Sequence, residues 1–200
     1  GATIAFAVSG SIRLLTKLPA IAAPTVLDGS TGPGYAPATG PVVRLTCDDA
    51  PDVADGLVVT AADTTVRALE IDGCDTAISF GPGTDHARVF GTWIGTDDVP
   101  RAWSNNGISG IVTRADDVVI GGPDPADGNI INAQDFPVSL QDPVVDGTPV
   151  HARVQGNRIG LEPDGSDAVD FMYGVEVRPD VQALVGGTGP GEGNLISGGT

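Results

Sequence analysis

The stretch HARVFGTWIG at residues 86–95 returns as HARVQGNRIG at 151–160, with seven of ten letters identical at an offset of 65. Two further blocks keep the same order. IGGPDPADGNIIN (120–132) returns as VGGTGPGEGNLIS (185–197), again at 65 and with six of thirteen letters identical, and between them GIVTRAD (110–116) matches GVEVRPD (174–180) at 64. Three matched blocks in one order establish an internal repeat. A period of tens of residues marks a stacked architecture, in which each unit covers the apolar face of its neighbour.

The offset of 65 holds more than one unit. VRALEI (66–71), VFGTWI (89–94) and VQGNRI (154–159) share a pattern of apolar or small residues at Val66, Leu69 and Ile71, at Val89, Thr92 and Ile94, and at Val154, Asn157 and Ile159. The first two sets are offset by 23, and VLDG (26–29) precedes EIDG (70–73) by 44, two such steps. The spacing predicts a unit of about 22–23 residues, expanded by loops to about 30 further on. Helical repeats are excluded, because units of about 33–34 residues need amphipathic helices and no window shows their 3.6-residue period. The chain reads instead as strands of three to six residues: VVRL, LVVT, ALEI, AISF, VFGTWI, GIVT, VVIG, NIIN, PVSL, VQGNRI, GVEV, ALVG and NLIS, separated by turns rich in Gly, Asp and Pro.

These observations predict an all-β fold, a right-handed parallel β-helix of about seven coils. Parallel strands lie ~4.8 Å apart, so seven coils make a rod about 30–35 Å long. Inward side chains then form ladders that favour Val, Ile and Leu, and Asn fits where a turn points inward and can bond its copy in the next coil. Asn129 and Asn194, in the repeated Gly-Asn step, are candidates for such structural positions. Residues 1–200 are read as one domain, with longer loops in the coils of 1–65 and more regular coils, carrying the double repeat, over 66–200. Both termini read as cut from a longer β-helix, and the initial GATIAFAVSGSIRLL has no cleavable signal pattern.

Composition agrees. Glycine and proline make 45 of 200 residues, yet 40% of the chain is hydrophobic, which fits many short strands joined by tight turns. The net charge of −16 excludes nucleic acid and anionic lipid as partners, since both are bound by neutralising phosphates with Lys and Arg. No apolar run of 18 residues exists, so no membrane-inserted helix is predicted. The acidic surface keeps a β-rich chain soluble and discourages edge pairing. Cys47 and Cys74 are separated by 27, close to one coil. A bridge between neighbouring coils and a pair of small buried residues are both compatible with that spacing.

VLDGSTGPGY (26–35), VVRL, GLVV, TTVRALEIDG (64–73), GTWIGTD (91–97), GNRIGLEPDG (156–165) and the two IGG/VGG…GN blocks resemble a known group. They are similar to the turn and core signatures of the large secreted or surface bacterial proteins described as right-handed parallel β-helix repeat proteins, within the pectin-lyase-like fold group. The resemblance runs over nearly the whole chain. It implies an extracellular or cell-surface location and further domains in the same chain. It carries over no catalytic residue, because its motifs are turn and core signatures, and a shared fold is not a function.

The chemistry of glycan cleavage can be tested on the residues. Hydrolysis needs two carboxylates flanking the glycosidic bond. Asp48–Asp49, Asp97–Asp98 and Asp116–Asp117 are adjacent pairs in turn-like contexts, and neighbours on a strand point to opposite faces. His86 and His151 recur at equivalent repeat positions and read as part of the turn. Lyase chemistry needs calcium carboxylates facing a basic side chain. With Leu69 and Ile71 inward, the outer ladder reads Glu70, Trp93, Val119, Arg158 and Leu184, which is no metal cluster. Trp93 beside Glu70 can stack on a sugar ring; for Trp93 and Trp103 the alternative is packing under a neighbouring loop. GGPDPADGN and GGTGPGEGN superficially resemble calcium β-roll repeats but are not tandem nonapeptides, so Asp124 and Asp127 are only weak calcium candidates and no cofactor is expected. The expectation is a non-catalytic extracellular structural or adhesive module, with polysaccharide or cell-wall glycan as its partner. A polysaccharide lyase or glycoside hydrolase whose active site lies outside this segment is the alternative.

Overall fold

Short β-branched runs punctuated by glycine become short strands here, and almost nothing else. The structure, a computed structural model, describes residues 1–47, 55–96, 107–142, 150–166 and 170–198. Among them the only helical element is a single 3-10 turn, Gly29–Thr31. The strands form three sheets, and every pairing between named strands is parallel. The first sheet holds Ala2–Ala5, Thr25–Asp28, Thr65–Arg67, Arg88–Phe90, Val118–Gly121, Val150–Gln155 and Val181–Val185. The second holds Gly10–Arg13, Val43–Thr46, Glu70–Asp72, Trp93–Ile94, Ile130–Ile131, Arg158–Ile159 and Leu195–Ile196. The third holds Asp55–Val59, Thr76–Phe80, Ser109–Thr113, Phe136–Leu140 and Val175–Val177. The chain visits the sheets in rotation, so each strand pairs with the one laid down a full pass earlier. Ile21 takes the third-sheet place in the first pass through a parallel bridge to Val59.

Parallel register aligns like with like. In the second sheet Ile12, Leu45, Ile71, Ile94, Ile131, Ile159 and Ile196 occupy one continuous ladder. In the first sheet the equivalent ladder is Ile4, Leu27, Val66, Val89, Ile120, Val154 and Val185. Its third-sheet counterpart runs Val59, Phe80, Thr113, Leu140 and Val177. The middle members of these ladders are fully buried, and the apolar ones belong to one hydrophobic cluster. Burying each such Val, Leu or Ile contributes about 1.5–3 kcal/mol.

The repeat at an offset of 65 is two passes: Val89 is followed on its ladder by Ile120 and then Val154, as Ile94 is by Ile131 and then Ile159. The short unit expected from the sequence holds for some passes and not for others, and one of the former is the step from Ile4 to Leu27. The unit also describes the step from Val66 to Val89, but the step from Leu27 to Val66 on the same ladder is much longer, because loops inserted between strands do not disturb the rungs. The match of VLDG with EIDG is also corrected, since Asp28 lies in the first sheet and Asp72 in the second.

The runs VFGTWI and VQGNRI, read from sequence as single strands, are each split by a corner. Ala68, Gly91 and Gly156 turn it with φ of 53°, 53° and 68°. A side chain would also be excluded at Gly156, where an added Cβ would lie 2.0 Å from the Gly122 carbonyl oxygen. The residue after the corner points inward, and from the fourth pass on it is polar. Asn129 Oδ1 accepts from Thr92 N–H (2.9 Å), Asn157 Oδ1 from Asn129 N–H (3.2 Å) and Nδ2 (2.9 Å), and Asn194 Oδ1 from Asn157 N–H (2.9 Å) and Nδ2 (3.0 Å). Each amide also donates to a carbonyl on an earlier stretch: Asn129 to Val89, Asn157 to Ile120 and Asn194 to Val154. At the next corner Cys47 and Cys74 form a disulfide between adjacent passes, with Cα atoms 5.0 Å apart.

Candidate functional site

Three loops leave the stack at the first corner: 29–42, 122–128 and 187–193. Passes with a direct corner lie between the first two, so the loops stand as walls over a recessed floor. The groove is lined by Tyr35, Pro37, Ala38 and Gly40 on one side and by Pro125, Ala126 and Gly128 on the other. Gly91, Trp93 and Ile130 lie between, and Arg158 and Pro163 stand at one end. Its volume is about 260 Å³. A second hollow of about 200 Å³ shares Tyr35, Gly91 and Ala126 and adds Ser30, Arg67, Phe90 and Asp127. The two hollows adjoin at those three shared residues, and the first of them is a trough over Trp93.

Trp93 is both wall-packed and groove-lining. It is partly buried, and a Cβ on Gly40 (φ 80°) would meet its ring carbons at 2.1–2.6 Å, so the turn at Gly40 rests on the indole. The side of the ring facing the trough is an apolar surface of the kind on which a sugar face stacks. Arg158, at the end of the trough, donates to the Pro163 carbonyl (3.2 Å) and so is held by its own loop. Burial pushes the Tyr35 phenol above its ordinary pKa, which keeps it a neutral hydroxyl.

Arg67 bonds Asp28 at 2.5 Å, across adjacent first-sheet strands. The guanidinium holds the Asp28 carboxyl below the usual carboxylate range, helped by donation from Ser30 and opposed by burial. A carboxyl whose folded pKa is depressed stabilises the fold fully above its unfolded pKa of about 3.9, and that stabilisation is lost as pH falls through the folded value. Asp28→Asn is therefore expected to flatten the acid limb of stability below about pH 4. Urea midpoints measured from pH 5 to pH 2 check this, and parallel curves for the two proteins would contradict it.

The sequence-derived candidates are placed as follows. Glu70 and Trp93 are neighbours on the outer face of the second sheet, but Glu70 turns toward Arg44 (3.8 Å) and does not line the trough. The outer ladder assembled from sequence mixes two sheets. Around Trp93 it reads Arg44, Glu70, Trp93, Ile130, Arg158 and Leu195, whereas Val119 and Leu184 flank Arg153 on the first sheet. The sequence pattern equates the middle residue of VVIG with that of TWI, which lies one corner further along. Trp103, Asp48–Asp49 and Asp97–Asp98 lie outside the described residues.

Asp124 Oδ1 accepts from Ala126 N–H (2.9 Å) within its own turn, and burial together with Asp124 pushes the Asp127 carboxyl above the ordinary range. Among the described residues no group of three or more His, Cys, Asp or Glu converges as a metal cage. His86 and His151 each face an aspartate of a preceding turn, Asp63 at 3.2 Å and Asp116 at 2.9 Å. His151 N–H also donates to Asp116, whose carboxyl is lowered chiefly by that bond. A broad hollow of about 470 Å³ lies beside it, over Asp117, Ala152, Arg153, Gln182, Ala183 and Leu184.

Sequence reasoning misses Tyr35 and Arg67 as site residues. Tyr35 sits in the GPGY turn, and the only sequence signal for a wall there is the length of 29–42 between matching ladder positions. No helix among the described residues is long and apolar enough to cross a membrane. No protein family matches the chain, no curated protein matches it, and no solved structure matches it.

Proposed function

We propose that the chain is a right-handed parallel β-helix of seven coils that works outside the cell as a non-catalytic structural and adhesive rod, taking a neutral glycan in the trough over Trp93. What supports this reading is one observation. Trp93 and Tyr35 line one trough about 260 Å³ in volume, walled by loops that stand on the stack of ladders. An apolar ring face with a few fixed hydroxyl and amide groups is how sugars are bound. The cations nearest the trough are engaged by Asp28 and by the Pro163 carbonyl, which favours an uncharged ligand over an acidic one.

A glycan panel and isolated cell-wall fractions, titrated calorimetrically, test the reading. Trp93→Ala and Tyr35→Ala should each weaken binding at least tenfold, about 1.4 kcal/mol, with circular dichroism unchanged. Binding to no glycan would leave only a spacer role. Release of reducing ends or unsaturated products would transfer the chain to the enzymes.

A further inference from the structure

The loop at 122–128 carries a carboxylate that its sister loop uses internally and it does not. The two loops are copies at an offset of 65, which sets Asp127 against Glu192 and Asp124 against Gly189. Glu192 folds back into its own loop, where Oε2 accepts from Gly189 N–H at 2.7 Å. Asp127 is one methylene shorter, and its carboxylate accepts no hydrogen bond among the described residues. Instead it lines the hollow that adjoins the trough over Trp93, together with Ser30, Tyr35, Arg67 and Phe90.

The charges around that hollow do not balance. Among the described residues lining it the only cation is Arg67, whose guanidinium is bonded to Asp28 at 2.5 Å. Arg67 acts on Asp127 through space alone, and that pull is outweighed: burial first, and the Asp124 charge second, push the Asp127 carboxyl up. A carboxyl raised by those two causes is a negative charge short of a partner. The hollow therefore suits a cation, and Tyr35 and Phe90 add aromatic surface of the kind that attracts one. Calcium fits poorly, since it takes about 6–8 oxygen ligands and no group of three or more acidic, His or Cys side chains converges among the described residues. An organic ammonium needs only one carboxylate.

We infer that the glycan held over Trp93 carries a free amine on its neighbouring sugar, and that Asp127 binds the protonated amine in the adjoining hollow, beside Tyr35 and Phe90. This rests on the reading of the trough as a glycan site. The two hollows share Tyr35, Gly91 and Ala126, so a sugar ring on Trp93 brings the next ring along the chain toward Asp127. That continuity favours an amino sugar over a lysine side chain, which brings no ring to the indole. A bond from an ammonium to a carboxylate is roughly twice as strong as one between neutral groups, so the hollow prefers the amine to a hydroxyl in the same place. Acetylation of the amine removes its charge and with it the preference.

A chain of net charge −16 attracts any oligocation, so the test compares ligands and variants of matched charge. A fully deacetylated chitosan tetramer should bind about tenfold more tightly than cellotetraose, in which a hydroxyl replaces each amine. A lysine tetrapeptide, of similar charge but without rings, should bind more weakly than the chitosan tetramer by a similar factor. Asp127→Asn should abolish the preference for the amine, whereas Glu192→Gln, the same change of charge in the sister loop, should preserve it. Titration calorimetry reads all of these, with circular dichroism to confirm that both variants fold. Equal affinity for the two oligosaccharides, a preference that survives Asp127→Asn, or a lysine peptide that binds as well would each overturn the inference and leave the trough over Trp93 as a site for neutral sugar. Binding of neither oligosaccharide would remove the glycan reading itself, and the amine site with it.

Discussion

Asn157→Leu is expected to destabilise the protein by about 4 kcal/mol, more than any other single substitution considered. The side chain is almost wholly buried and engaged on every polar atom. Its Oδ1 accepts from the backbone and side chain of Asn129, and its Nδ2 donates to Ile120, to Gln155 and to Asn194. Leucine fills a similar volume but leaves those partners buried without bonds, and each orphaned group costs about 1–3 kcal/mol, with the sum not additive. For a chain of this length the melting temperature should fall by roughly 8–16 °C, at about 2–4 °C per kcal/mol. Asn157→Asp tests the direction of the ladder. It keeps the acceptor for Asn129 but loses the donor to Ile120, and it sets a carboxylate against the Asn194 oxygen. Thermal and urea melts of both variants check the account. A leucine variant within about 1 kcal/mol of wild type would mean the ladder is ornament rather than support.

The second large effect concerns the bridge between Cys47 and Cys74. It closes a loop with a sequence separation of 27, joining the ends of neighbouring second-sheet strands. Constraining the unfolded chain through a loop of that size stabilises the fold by about 3.5 kcal/mol in the chain-entropy account. Reduction, or the double replacement of both cysteines by alanine, should lower the melting temperature by about 7–14 °C. The loss should be concentrated in the passes nearest the bridge, since a stacked array transmits stability only between neighbours. Hydrogen exchange with and without reductant would show it. Melts of the oxidised and reduced protein that coincide would refute the estimate.

The strands are legible wherever β-branched residues cluster. VVRL, AISF, PVSL and the others stand within a residue or two of the observed elements, because a parallel strand buried on the inside needs those side chains. Ala2–Ala5 and Gly10–Arg13 are not legible as strands. They take their conformation from pairing with Thr25–Asp28 and Val43–Thr46, and alanine and glycine announce no such preference. The two-pass meaning of the 65 offset is partly legible, and the pass length is legible where no long loop is inserted, as from Ile4 to Leu27 and from Val66 to Val89, but not from Leu27 to Val66. The trough is the least legible. Tyr35 and Trp93 are remote in sequence, and their meeting depends on which loops stand beside which corners. The error over Val119 and Leu184 has the same origin. Inward and outward alternate along a strand, but the count restarts at each corner, where Ala68, Gly91 and Gly156 leave the extended region.

The corner between the first and second sheets accepts chain segments of different lengths with one outcome. Gly91 is followed directly by Thr92, whereas Gly121 and Gly186 are each followed by seven residues before Asn129 and Asn194 reach the same inward place. That whole segment can thus be added or removed there without shifting a single rung. The molecule therefore keeps the relief of its loops on a separate register from its support: the text along this one edge can be rewritten, lengthened or exchanged between levels, and the column behind it reads the same.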